Sequence, residues 1–171
     1  YQLGWSLAWS IVVKVFAYTN HTVLPEALEK WSVTLMQNLV PRVAEIIFEI
    51  NRRWLNEVKA VFGEEDFEMM SKPSIVEGEG EHQMFRMAHL AIVGAFKVNG
   101  VAAIHAEIVK EDVFPQFVEF YKRKGITDKF IGVTNGVTCR RWMAQCNPTL
   151  SSVITKALGS DKWIRDLDLL E

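Results

Sequence analysis

Between Pro41 and Gly63 the sequence leaves room for little except one long helix. Val43, Ile47, Ile50, Trp54, Val58 and Val61 recur at three- and four-residue steps, which places them on one helical face. Arg42, Glu45, Glu49, Arg52, Arg53, Glu57 and Lys59 occupy the other face. Pro41 resets the chain ahead of this helix, and Gly63 is placed to cap its end.

The flanking segments follow from shorter signals. Before it, Pro25 with Glu26 and Glu29 reads as a helix start, and Leu28, Trp31, Leu35 and Leu39 then share a face. Residues Ser10 to Tyr18 are β-branched and aromatic, which predicts a buried strand or a short core helix. The wider run from Leu7 to Tyr18 is shorter than the roughly 20 apolar residues that cross a bilayer, and Lys14 interrupts it. Residues 63–83 are polar and acidic and read as a surface loop. Met87 to Phe96 is apolar almost all round and reads as a buried helix. Asn99-Gly100 marks a turn, Val101 to Lys110 a helix, and Phe114 to Lys124 a short amphipathic helix ended by Gly125. Thr134-Asn135-Gly136 is a second turn signal. Pro148 opens a last helix that breaks at Gly159-Ser160.

Composition narrows the class. The 171 residues suit one compact domain better than two small ones. A net charge of -2 offers no basic footprint for nucleic acid, and Lys122-Arg123-Lys124 and Arg140-Arg141 read as solvated faces or local anion contacts. Two cysteines, Cys139 and Cys146, build no disulfide framework and fit a reducing compartment. His21, His82, His89 and His105 show no metal-ligand spacing, so no metal is expected. Periodicity and composition thus yield a helix-rich globular piece and no activity.

Four short strings are more specific. Ala17 to Trp31 reads AYTNHTVLPEALEKW, preceded by Leu3, Trp5, Ala8 and Trp9. Met87-Ala88-His89-Leu90 is followed by Val98-Asn99-Gly100-Val101-Ala102 and Ile104-His105. Thr134-Asn135-Gly136-Val137-Thr138 leads into Arg140-Arg141-Trp142 and Cys146-Asn147-Pro148. Trp163 precedes Asp166-Leu167-Asp168-Leu169-Leu170. In order and spacing these strings resemble the glycogen and starch (α-1,4-glucan) phosphorylases over almost the whole chain, with looser agreement at 63–83 and 111–131.

That resemblance implies an α/β fold. The chain would be a helix-rich fragment spanning the crossover between the two α/β domains of a GT-B type glycosyltransferase. Residues 1–135 would be the late part of the N-terminal domain, and 136–171 the start of the C-terminal, cofactor-binding domain. The implied reaction is phosphorolysis of a terminal α-1,4-linked glucose, giving glucose 1-phosphate with retained configuration. Pyridoxal phosphate is the implied cofactor, its phosphate relaying a proton to the substrate phosphate, so a two-carboxylate glycosidase pair is not expected. The implied partners are an α-1,4-glucan and inorganic phosphate, in a cytoplasmic homodimer (plastidic in a plant-like source), with neither nucleic acid nor membrane. The Schiff-base lysine and the phosphate-gripping Lys/Arg cluster are expected beyond Glu171, and an active-site aspartate before Tyr1.

Residue roles carry over from the same resemblance. His21 matches the histidine of the glucose subsite, whose backbone carbonyl lies near the developing oxocarbenium charge and whose side chain bonds a sugar hydroxyl. Asn135 matches an asparagine on glucose hydroxyls; as a residue before glycine it also suits a turn. Thr22 and Val101 match pocket-lining positions. Glu29 matches a glutamate beside the active-site channel, and a first-turn helix carboxylate explains it equally well. Trp142 matches a tryptophan near the cofactor ring, where core packing is the plainer reading. His89 and His105 are read as hydrogen-bonded core residues. Cys139 stands where the family usually has proline and Val133 where it often has lysine. Phe48 and Gln83 fall near positions that help form a secondary glycogen-storage site in animal members, whose tyrosine and lysine are absent here, so that site is not expected. The competing reading is a non-catalytic truncated fragment or interaction module, whose uncovered apolar faces need a partner.

Overall fold

The computed structural model describes residues 2–138 and 140–171. Its elements run in chain order as α1 (Trp5–Val15), β1 (Tyr18–Thr19), β2 (Lys30–Ser32), α2 (Val33–Leu39), α3 (Pro41–Phe62), α4 (Phe67–Ser71), β3 (Val76–Glu77), β4 (Met84–Arg86), α5 (Met87–Gly94), β5 (Val98–Gly100), α6 (Ala103–Ile108), α7 (Pro115–Arg123), β6 (Phe130–Gly132) and α8 (Pro148–Leu158). They fall into two compact units, Tyr1–Thr134 and Asn135–Glu171. Helix and sheet are mixed, as an α/β piece requires. Cys139 lies outside the described residues, as does the departure read there.

Helix α3 organises the first unit. Ala44, Ile47, Trp54 and Val58 are buried, while Val43, expected on the inner face, is exposed. Gly63 closes the helix at φ 90°, with its N–H on the Lys59 carbonyl. On the outer face Glu49 pairs with Arg52 at 2.7 Å and Arg53 at 2.6 Å; at these exposed sites solvent screens such pairs strongly. Trp54 is 4% exposed and meets three rings of α7. It stacks on Phe117 and Tyr121 at centroid distances of 5.4 and 6.1 Å and meets Phe120 edge-on at 4.5 Å.

Residues 63–83 are largely exposed, as expected of a surface loop, but the same helix draws one part of them inward. The Trp54 indole N–H donates to Pro73 O at 2.9 Å, and Asn51 Oδ1 accepts Ile75 N–H at 2.7 Å. These bonds satisfy backbone that would otherwise need water, so Pro73, Ser74 and Ile75 are buried. Upstream, Asp66 caps α4 by accepting Met69 N–H at 3.0 Å.

Two three-stranded sheets flank these helices. One is antiparallel in the order β2-β4-β3, with Trp31 opposite Phe85. Its β2 interrupts the single helix expected from Pro25 to Leu39. That stretch becomes a 3-10 turn (Pro25–Ala27), then β2, then α2, which Ser32 caps by accepting Leu35 N–H at 3.3 Å. Pairing with β4 outweighs the helical periodicity of Leu28, Trp31 and Leu35. The other sheet is parallel, in the order β1-β5-β6. Asn99-Gly100, expected as a turn, is the end of its central strand. Glycine is needed at position 100 because α6 crosses there: a Cβ would lie 2.7 Å from His105 Nδ1 and 2.9 Å from Ala106 backbone atoms.

The apolar run near the N-terminal end is helical and none of α1 is buried, which corrects the expected buried strand or core helix. Trp9 packs toward the core, but Leu7, Ile11, Val15 and the following Phe16 are exposed. Among the described residues no helix is long and apolar enough to cross a membrane. In the second unit Asn147 caps α8 by accepting Leu150 N–H at 3.0 Å, and Gly159 ends it in the left-handed region. Trp163 is buried and donates to Thr155 Oγ1 at 3.0 Å. Thr134-Asn135-Gly136 forms no turn: residues 133–138 are irregular, and Gly136 does not take the positive φ that a glycine-dependent turn uses.

Trp54→Ala removes the α7 stack and leaves Pro73 O without its donor. It should cost about 3–5 kcal/mol, measured by chemical denaturation of the protein that carries this segment. Trp54→Phe, which keeps a ring and loses the N–H, should cost less.

Candidate functional site

The C-terminal ends of the parallel strands are sewn together through Asn99. Its carbonyl accepts Asn20 N–H at 2.8 Å, and its Oδ1 accepts the Thr19 hydroxyl at 2.8 Å. Its Nδ2 donates to Gly100 O at 3.2 Å, and the same oxygen accepts Val133 N–H at 3.0 Å from the chain leaving β6. Three chain exits are thereby held at one edge of the sheet.

The loop leaving β1 carries His21 and Thr22. Asn20, 1% exposed, folds its side chain back so that Oδ1 accepts Thr22 N–H and Nδ2 donates to Tyr18 Oη, both at 3.2 Å. Thr22 Oγ1 in turn accepts Leu24 N–H at 3.1 Å. These are the local turns that asparagine and threonine make with the backbone two residues on. His21 is exposed at the tip, not a satisfied core histidine, and Thr22 is half-buried beside it. Burial pushes the Tyr18 phenol up, and the Glu29 charge adds to the shift.

Val101 follows β5 and is half-buried at the same edge. Its N–H donates to His105 Nδ1 at 3.0 Å. A bare Nδ1 places the proton of the neutral ring on Nε2, which is buried and has no hydrogen-bond partner among the described residues. His89 differs. Its Nδ1 lies 3.0 Å from Ser74 O, its ring meets Phe114 and Phe117 edge-on, and burial, helped by Arg86, pushes its pKa down to about 3. His89 has the hydrogen-bonded interior character read from the sequence, whereas half-buried His105 is bonded, among the described residues, at Nδ1 alone.

The remaining candidates lie elsewhere. Glu29 is not in the first turn of a helix: it sits between the 3-10 turn and β2, and its Oε1 accepts the Trp31 indole N–H at 2.5 Å. Asn135 and Trp142 belong to the second unit. Asn135 is exposed on irregular chain, three residues after β6 in sequence. Trp142 is 61% exposed in the π-helical turn Arg141–Gln145, which corrects the core-packing alternative. Phe48 packs edge-on against Phe85 at 5.2 Å and so serves the core.

Sequence reasoning passed over Asn20, Asn99 and His105 as supports of the sheet edge. The available signal was the asparagine directly before His21 and the one directly before Gly100, both residue types that bond their own backbone. A cleft of about 360 Å³ lined by Trp5, Trp9, Trp54 and Lys129 shares none of the edge residues. Lys129 is the one buried lysine among the described residues. Burial lowers its pKa to about 8, but its Nζ is committed to Ala95 O at 2.8 Å and to the Tyr121 ring. Among the described residues, the one buried lysine is thus committed and offers no free interior amine to a Schiff base. No cluster of three or more His, Cys, Asp or Glu among them could hold a metal.

Comparison with known proteins agrees with the four strings. A family profile described as carbohydrate phosphorylase matches residues 1–171. Glycogen phosphorylase 2 of Dictyostelium discoideum is 48% identical over 168 residues, covering 98% of this chain and 16% of that protein. The liver form of glycogen phosphorylase from Ovis aries is 48% identical over 169 residues, 99% of this chain and 19% of that protein. Glycogen phosphorylase of Chlamydia pneumoniae is 47% identical over 169 residues, 99% of this chain and 20% of that protein. The chain thus spans a fifth or less of the length of these relatives.

The depressed His89 pKa has a pH signature. Between an ordinary value of 6.5 and about 3 the unfolded chain binds a proton that the folded chain refuses. The His89 contribution to stability is therefore fully present above pH 6.5 and is lost progressively as pH falls toward 3. Denaturation midpoints between pH 7.5 and 4.5 should fall more steeply in the unmodified protein than in His89→Phe.

Proposed function

The chain belongs to the carbohydrate phosphorylase family, and on that premise we propose that it is a segment of an α-1,4-glucan phosphorylase. Such an enzyme releases glucose 1-phosphate from glycogen, starch or maltodextrin by phosphorolysis with retention. The observation that carries the proposal is the shared edge of the parallel sheet. His21, Thr22 and Val101 leave it within one hydrogen-bonded network around Asn99, at the C-terminal strand ends where open α/β sheets receive ligands.

The roles are those that the family resemblance implies. The His21 carbonyl presents a dipole to the positive charge that develops at the anomeric carbon, a preorganised interaction stronger in the transition state than in the ground state. The His21 side chain and the Asn135 amide bond sugar hydroxyls. Thr22 and Val101 wall the glucose pocket, and Glu29 borders the channel. Pyridoxal phosphate is the cofactor of this reading, with Trp142 as its one contact here. The chain crosses between the two α/β domains of a GT-B type glycosyltransferase, with 1–135 late in the first and 136–171 opening the second. The enzyme works as a cytosolic homodimer on glucan and inorganic phosphate.

One observation favours a second reading. The outer face of α1 exposes Leu7, Ile11 and Val15 with Phe16, a surface suited to an interaction module. The intact mass of the native protein separates the two: a 19.6 kDa species supports the module, and a mass several times larger supports the enzyme. In the complete enzyme, Asn135→Ala should lower kcat/KM for phosphorolysis by about 10- to 100-fold. An unchanged kcat/KM would remove Asn135 from the sugar site.

A further inference from the structure

The geometry points to Asn20 as the residue that aims the His21 carbonyl, a positioning role that rests on the proposed place of that carbonyl beside the reacting glucose. Asn20 is the most deeply buried polar residue among those described. Only its amide oxygen can accept the Thr22 N–H, and the amide nitrogen is occupied by Tyr18 Oη, so the carboxamide has one orientation. The backbone below it is also held, since Asn20 N–H is bonded to Asn99 O at 2.8 Å.

The Thr22 N–H and the His21 C=O belong to the same peptide group. The described chain contains no cis peptide, so within this plane N–H and C=O point in opposite directions. With the N–H aimed inward at a buried carboxamide, the carbonyl of exposed His21 is aimed away from the interior. Rotating the peptide would break the Asn20 bond and strand a half-buried N–H. Two peptides further on, Leu24 N–H is bonded to Thr22 Oγ1 at 3.1 Å, which holds the chain on the far side of Thr22 as well. Asn20 thus sets the direction of one dipole without touching the sugar.

A dipole's direction matters most to charge. The loss of Asn20 should therefore appear in kcat and in the binding of cations, not in the binding of neutral sugar. In the complete enzyme, Asn20→Ala is expected to lower kcat on the order of 100-fold, with KM for glucan and phosphate within about twofold. Two probes separate the causes: neutral glucose, and a piperidine sugar analogue carrying its positive charge at the anomeric position. The variant should bind glucose normally and lose most of its preference for the cation. Asn20→Asp, which keeps an acceptor for Thr22 N–H, should restore most of both.

Unchanged kcat in Asn20→Ala would overturn the role. So would parallel weakening of both probes with a lowered Tm, which marks a structural residue only. If the alanine variant does not fold, Asn20→Asp decides: retained preference for the cation supports the role, and its loss with glucose binding intact overturns it. A different result strikes the underlying reading: if the unmodified enzyme itself binds the cationic analogue no better than glucose, the His21 carbonyl does not face the reacting carbon.

Discussion

The buried indole of Trp54 holds the first unit together. One face of the ring system stacks into α7, and its N–H reaches Pro73 O, so a single side chain joins the long helix to a helix and to an irregular segment that are distant in sequence. An indole N–H in an apolar core must find an acceptor. Here it finds one on backbone that must itself be satisfied if Pro73 to Ile75 are to be buried. Asn51, almost one helical turn earlier, does the same for Ile75 N–H. Ile75 O accepts Arg86 N–H of β4 at 2.8 Å, and β4 in turn pairs with β2 and β3.

From that core the parallel sheet is presented as a rigid edge. Its strands are only two or three residues long, too short to define an edge by themselves. Side-chain bonds complete them: Asn99 ties β1 to β5, Gly100 O reaches the chain after β6, and His105 holds the backbone of Val101. A sugar site built on such an edge gains precision from its supports as much as from the residues that face solvent. Backbone dipoles held by buried side chains need no reorganisation when charge develops nearby.

The helix α3, the buried character of α5, the amphipathic α7 and the capped α8 were all legible because each relies on spacing and end residues within its own segment. Three of the departures share one cause. Lys30 to Ser32 leaves the helical pattern because β4 offers ladder bonds, and Asn99-Gly100 stays extended because it lies between β1 and β6. Within acidic 63–83, Pro73 to Ile75 are drawn in by Trp54 and Asn51. In each case a distant segment supplies a partner that local pattern does not record. The site shows the same split: His21, Thr22 and Val101 could be named from their strings, whereas Asn20 and Asn99 could not, since their importance lies in which backbone atoms they reach.

The sequence by itself determined the family, the amphipathic frame and the identity of the candidate sugar-facing residues, because these are carried by residue type, order and spacing along the chain. Only the tertiary structure decided that residues 20–22 and 99–101 share one hydrogen-bonded edge, that Glu29 is held on Trp31 outside any helix, and that the His21–Thr22 peptide has a single direction. Those are properties of hydrogen bonds whose donors and acceptors meet only after folding, and a peptide plane takes its orientation from whichever buried partner closes on its N–H.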